Sequence, residues 1–79
     1  MTYKIAKNLI IFPSSGEWHK ELNRVSWNGR VPVLDLRGWN EDHTKMTKGT
    51  TLTDEEAGFL LDNIHILKEE LQDADQRTV

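Results

Sequence analysis

The chain has 79 residues, no cysteine, 37% hydrophobic and 29% charged residues, and a formal charge of −3. A chain this short forms one domain, residues 1–79, and buries only about 60% of the surface its unfolded form exposes; without cysteine, neither a disulfide nor a thiolate metal site reinforces so small a core, so association with a second copy is the expected source of further burial. The longest apolar run, Leu9 to Phe12, is far short of the ~20 residues that span a bilayer, and the N-terminus lacks a hydrophobic signal region, so the expected setting is the cytosol or nucleoid rather than a membrane.

Charge is unevenly spread. Residues 1–48 carry eight Lys/Arg against five Asp/Glu, a net of +3, and residues 49–79 carry two against eight, a net of −6. Because screening at physiological salt acts over about 8 Å, this asymmetry bears on partners more than the total does. Ordinary solvated faces would also give this pattern.

Tyr3 to Phe12 is rich in strand formers and stops at the turn cluster Pro13-Ser14-Ser15-Gly16. Lys4 and Lys7 in it extend the basic surface or protect an edge strand from aggregation. In Glu17 to Trp27, the spacing of Trp18, Leu22 and Val25 suits a helix, whereas the alternation of Leu22, Arg24 and Ser26 with Val25 and Trp27 suits a strand. Asn28-Gly29 decides for the strand, since a two-residue type I′ turn needs positive φ at both central positions. The outgoing strand is Arg30 to Trp39.

With Trp27 opposite Arg30, Val25, Trp27, Leu34 and Leu36 share one face, the better core candidate. Lys20, Leu22, Arg24, Ser26, Val31, Val33, Asp35, Arg37 and Trp39 share the other. A longer loop with a bulge would shift this parity.

Gly38, Asn40, Glu41 and Asp42 break the pattern, and a Thr/Lys-rich run leads to Leu52. Thr53-Asp54-Glu55-Glu56 is a capping box with an acidic first turn. Beyond it Ala57, Leu60, Leu61, Ile64, Leu67 and Leu71 recur at helical spacing, predicting one long amphipathic helix. Phe59 and Ile66 widen its apolar surface beyond what one small sheet needs to cover. Asp73 to Val79 is polar and expected to fray.

The residues LDLRGWNEDHTKMTKGTTL (Leu34 to Leu52), followed by the capped TDEE helix, resemble the single-stranded-DNA-binding domain of the transcriptional positive cofactor four family. The elements that carry the resemblance are Asp35-Leu36-Arg37, Trp39, Glu41-Asp42, the segment Lys45 to Lys48-Gly49, Leu52 and the helix from Asp54. The whole chain is most similar to the small bacterial YdbC-type members. Residues 1–16 and the absence of a Ser-rich acidic region depart from the eukaryotic pattern, so the resemblance does not imply a coactivator role. The resemblance implies an α+β fold: a curved four-stranded antiparallel sheet followed by one long C-terminal helix, assembled as a homodimer whose sheets form grooves for single strands.

A single strand bound without sequence preference needs cations along the phosphate path and aromatic faces for stacking, each stack worth about 1–3 kcal/mol. Lys20, Arg24, Arg37, Lys45 and Lys48 are the phosphate candidates, with Arg37 and Lys48 carried over from the family motif. Trp39 is the matching aromatic, and Trp18 and Trp27 are secondary stacking candidates. The competing role for Trp27 is core packing beside Leu34, and for Arg37 an ion pair with Asp35 or Glu41.

The expected partner is single-stranded DNA, with single-stranded RNA as an alternative, and transcription regulation, replication and repair are all compatible. His19, His43 and His65 fall on separate elements without ligand spacing and read as surface residues, so no metal or other cofactor is expected. No GxxxxGK[ST] or GxSxG pattern accompanies Ser14-Ser15-Gly16, and the chain does not read as an enzyme. The alternative class is a small dimeric interaction module that holds a protein partner through its helix or a sheet edge.

Overall fold

The computed structural model describes residues 1–77, with side chains through residue 73. Strands β1 (Tyr3–Ile11), β2 (His19–Trp27), β3 (Val33–Trp39) and β4 (Thr50–Leu52) are followed by helices α1 (Asp54–Asp62) and α2 (Ile64–Arg77). The strands form one antiparallel sheet in the order β1-β2-β3-β4. This is the expected four-stranded α+β arrangement.

Asn28 and Gly29 have φ of 52° and 76°, and the Arg30 amide donates to the Trp27 carbonyl at 3.0 Å, which makes the type I′ turn. The register beyond it differs from expectation. Val25 pairs with Val33 and Arg24 with Leu34, so the stretch Arg30–Pro32 contains one residue without a counterpart on β2. Pro32 has no N–H to give the ladder, and the Arg30 carbonyl accepts from the Ser26 hydroxyl at 2.6 Å instead of from a strand amide. A slip of one residue sends every β3 side chain to the other face. Val33, Asp35, Arg37 and Trp39 therefore join Val25 and Trp27, while Leu34 and Leu36 join Lys20, Leu22 and Arg24. This overturns the face assignment expected from the turn alone.

The face carrying Trp27 and Trp39 is concave. Trp39 pairs with His19, eight residues before Trp27 on β2, a span of roughly 26 Å along a straight strand. Yet the Tyr3 ring lies 6.1 Å from that of Trp27 and 5.3 Å from that of Trp39. Two register shifts in β1, between Ile5 and Lys7 and between Asn8 and Ile10, supply local bending.

Val25 and Trp39 are the fully buried apolar side chains of this face, and they share its interior with buried Glu21, Asn23 and Asp35. Asp35 accepts from Arg37, and Glu21 and Asn23 are satisfied with the help of Asn8. Asn8 Nδ2 donates to Glu21 Oε1 at 3.0 Å and to Asn23 Oδ1 at 2.6 Å, and Asn23 Nδ2 donates to Glu21 Oε1 at 3.0 Å.

The capping box forms as expected: the Glu56 amide donates to Thr53 Oγ1 at 3.0 Å, and the Thr53 amide to Glu56 Oε1 at 2.8 Å. The single long helix is instead two segments divided at Asn63. Its Nδ2 takes the Phe59 carbonyl at 2.9 Å, the acceptor its own amide would use in a continuous helix, and that amide bonds Leu60 O at 3.1 Å. Of the expected frayed tail, residues 73–77 belong to α2 and residues 78–79 lie outside the described residues.

Most of the helical apolar surface is uncovered. Phe59 is 74% exposed and Leu61 69%, and Ile66, Leu67 and Leu71 are each more than half exposed. The radius of gyration, 15.1 Å, exceeds the roughly 12 Å of a compact chain of this length, because the helices leave the sheet instead of lying across it.

Candidate nucleic-acid interface

The convex face carries the free cations. Lys7 pairs with Arg24, and Lys4 with Ser26, so both β1 lysines fall on the same face as Lys20 and Arg24. Arg24 reaches Asp54 at the start of α1 at 2.8 Å, an exposed pair, and such pairs contribute about 0–1 kcal/mol. Among the described residues Lys20, Lys45 and Lys48 are in no ion pair, and all three are exposed.

Lys20, Arg37 and Lys48 line one depression together with Leu36, Gly38, Thr47, Gly49 and Thr50, and Trp18 lines its continuation past Lys20, Gly38 and Thr47. Gly38 forms the floor. A Cβ there would stand 3.0 Å from both Thr47 Cγ2 and Oγ1, so a side chain would press on Thr47 within the depression. Trp18 is 43% exposed.

Two of the expected contacts are committed elsewhere. Trp39, the expected stacking ring, is fully buried between Tyr3 and His43, whose ring lies 5.6 Å away. A base cannot reach its face. Arg37 makes a bidentate pair with Asp35, Nε to Oδ1 at 2.7 Å and Nη2 to Oδ2 at 2.6 Å, and its Cζ sits 4.6 Å from the centroid of the Trp27 ring. Trp27 is half-buried beneath that guanidinium and beside Tyr3. The one-residue slip at Pro32 explains both outcomes, because it turned Arg37 and Trp39 inward.

The loop between β3 and β4 is built on Asn40. Its Nδ2 donates to Asp42 Oδ1 at 2.9 Å and to Thr44 Oγ1 at 2.8 Å, and its Oδ1 accepts from the Lys45 amide at 2.8 Å. Hydrogen bonds from the Thr44 hydroxyl and amide hold the Asp42 carboxyl below its ordinary 3.8. The loop delivers His43 to the concave face, where its Nε2 lies 2.9 Å from Glu21 Oε2 while His19 Nε2 lies 2.5 Å from the same oxygen. Burial pushes the Glu21 carboxyl up, but hydrogen bonds from Asn23, His43 and His19 outweigh it and hold the group below its ordinary 4.5. His19 and His43 thus meet, contrary to the reading of them as separate surface residues. The i, i+2 placement of His19 and Glu21 on one strand was visible in the sequence; the loop that brings His43 to them was not.

A model of the family described as Transcriptional Coactivator p15 (PC4) matches residues 14–63, from the β1–β2 turn through α1. The chain belongs to the PC4 family. It is also 43% identical over 61 residues to an uncharacterized protein of Treponema pallidum, an alignment that covers 76% of this chain and 72% of that protein.

PC4 membership ties the chain to nucleic acid or to the transcription machinery. The matched region includes the Trp18, Lys20, Gly38 and Lys48 depression and leaves out β1 with Lys4 and Lys7. Within the PC4 match the Lys48-Gly49 step has a steric reason, since a Cβ on Gly49 would stand 2.5 Å from the Leu36 carbonyl oxygen. Among the described residues no helix is long and apolar enough to cross a membrane.

Proposed function

We propose that this PC4-family chain binds single-stranded DNA without base preference, as a homodimer, along the convex-face depression of Trp18, Lys20, Gly38 and Lys48. The observation that carries this reading is an exposed aromatic ring in line with unpaired lysines over a glycine floor. Stacking accepts any base, and the lysines follow phosphates by charge alone. Lys4, Lys7 and Arg24 extend the cationic path across β1 and β2. The unpartnered apolar surface of Phe59, Leu61, Ile66 and Leu71 supports a second copy as the other half of the assembly. Transcription regulation, replication and repair all use such a binder.

The test is a titration of labelled oligothymidylate against duplex of equal length at several salt concentrations. The single strand should bind more tightly. Lys20→Ala and Lys48→Ala should each flatten the slope of log affinity against log salt by about 0.7. Equal affinity for duplex would refute the proposal. Variants that stay folded with unchanged affinity and salt slope would return the face to a solvated surface and favour a protein partner on the helices.

A further inference from the structure

We propose that His19, Glu21 and His43 form a binding site for a divalent transition metal of the zinc class, fastening the β3–β4 loop to β2. The three ligand atoms all lie within 4.8 Å of one another. Both imidazole Nε2 atoms are aimed at a single oxygen, Glu21 Oε2, from 2.5 and 2.9 Å. A tetrahedral zinc with bonds of about 2.0–2.1 Å holds its ligand atoms about 3.4 Å apart. To admit an ion of that geometry each nitrogen needs to withdraw from the carboxylate by less than about 1 Å, and the two nitrogens, within 4.8 Å of one another, need to close by up to about 1.4 Å.

The donor set selects the metal class. Two imidazoles and one carboxylate suit zinc and its first-row neighbours, whereas calcium and magnesium demand oxygen ligands. A second layer holds the carboxylate in place: Oε1 accepts from Asn8 Nδ2 and Asn23 Nδ2, each at 3.0 Å, and has His43 Nε2 at 3.1 Å, which leaves Oε2 turned to both rings. Partners of this kind orient metal ligands.

His43 is held as firmly. Its φ of 60° lies in the left-handed region that side chains seldom adopt. Its amide donates to Asn40 O at 3.2 Å, its carbonyl accepts from the Tyr3 hydroxyl at 2.5 Å, and Asn40 is itself braced by Asp42, Thr44 and Lys45.

Access is also provided. The Glu21 side chain is fully buried, but those of His19 and His43 are 19% and 37% exposed, so an ion reaches the site between the rings and completes its shell with water. On binding, each ring that now donates Nε2–H to Glu21 coordinates through that nitrogen's lone pair, and its proton passes to Nδ1 or to solvent.

The test uses the full chain without an affinity tag. Calorimetric titration with zinc chloride should give one ion per chain. Cobalt chloride should produce the visible absorption of a tetrahedral centre, and the melting temperature should be higher in zinc than in EDTA. His19→Ala and His43→Ala should each weaken zinc binding more than about a hundredfold, beyond the roughly 10–100-fold that second-layer changes cost. His65→Ala, on α2, should leave it unchanged. Absence of visible cobalt absorption by the folded wild-type chain would overturn the proposal whether or not any variant folds. So would zinc affinity that survives both histidine substitutions, or a melt that is identical in zinc and EDTA and marks the triad as a protonated ion cluster.

Discussion

Replacing Trp39 by alanine should damage folding and not binding. Truncating a buried Trp costs about 3–5 kcal/mol in lost contacts and cavity. Trp39 is fully buried and packs on Tyr3 and His43, yet its Nε1 is a buried donor with no partner among the described residues. An unsatisfied buried donor costs about 1–3 kcal/mol, so removing it returns part of that sum and leaves a net loss of about 2–4 kcal/mol. A domain of this length holds about 4–12 kcal/mol in total, so the variant keeps a small margin. Urea unfolding followed by far-ultraviolet circular dichroism, at one fixed protein concentration so that the proposed association weighs equally on both proteins, measures the loss. Trp18→Ala is the counterpart: its ring is 43% exposed, so stability should move by less than about 0.5 kcal/mol while oligothymidylate affinity falls by about 1–3 kcal/mol. If Trp39→Ala melts like wild type and loses affinity while Trp18→Ala does the reverse, the roles assigned to the two rings are wrong.

Gly49→Ala should lower stability by about 1–3 kcal/mol, because the added carbon meets the Leu36 carbonyl, which belongs to a paired strand and cannot step aside; a thermal shift of less than a degree would refute this. Asn63→Ala should return the Phe59 carbonyl to a backbone partner and remove a residue about 0.5 kcal/mol worse than alanine in a helix, raising the ellipticity at 222 nm; an unchanged spectrum would show that the break has another cause. Light scattering should give twice the 9.2 kDa chain mass for wild type and a single chain mass for Phe59→Asp or Ile66→Asp; a wild-type monomer at micromolar concentration would remove the homodimer.

What could be read from residues alone was local. Asn28-Gly29 made the turn, Thr53 and Glu56 made the cap, and both did so with the partners their chemistry requires. Lys20, Lys48 and Trp18 needed only exposure to retain their candidate roles. The face assignment was lost to a single residue of slip. The extra residue before β3 turns Arg37 toward Asp35 and Trp39 toward Tyr3, the opposite face from the one the turn alone implied. Face parity is a yes-or-no property of the loop, so a hydrophobic pattern as mixed as that of β3 could not correct it. Asn63 and His43 were opaque for a related reason. Each acts through backbone geometry, a carbonyl four residues back or a positive φ, that their side-chain types permit without demanding.

The simple succession of the strands also sets a timetable. Each strand pairs only with the next one in the chain, so every closure is a hairpin, an event of roughly 1–10 μs, and topologies dominated by near neighbours fold quickly. Nothing in the sheet has to wait for a distant segment. In the proposed homodimer the slow encounter is left to the uncovered helices, which would be buried by a second copy at a rate that rises with concentration. Refolding should therefore divide in two: formation of the concave aromatic cluster at a rate indifferent to dilution, followed by a bimolecular phase in which the apolar side chains of α1 and α2 lose contact with water.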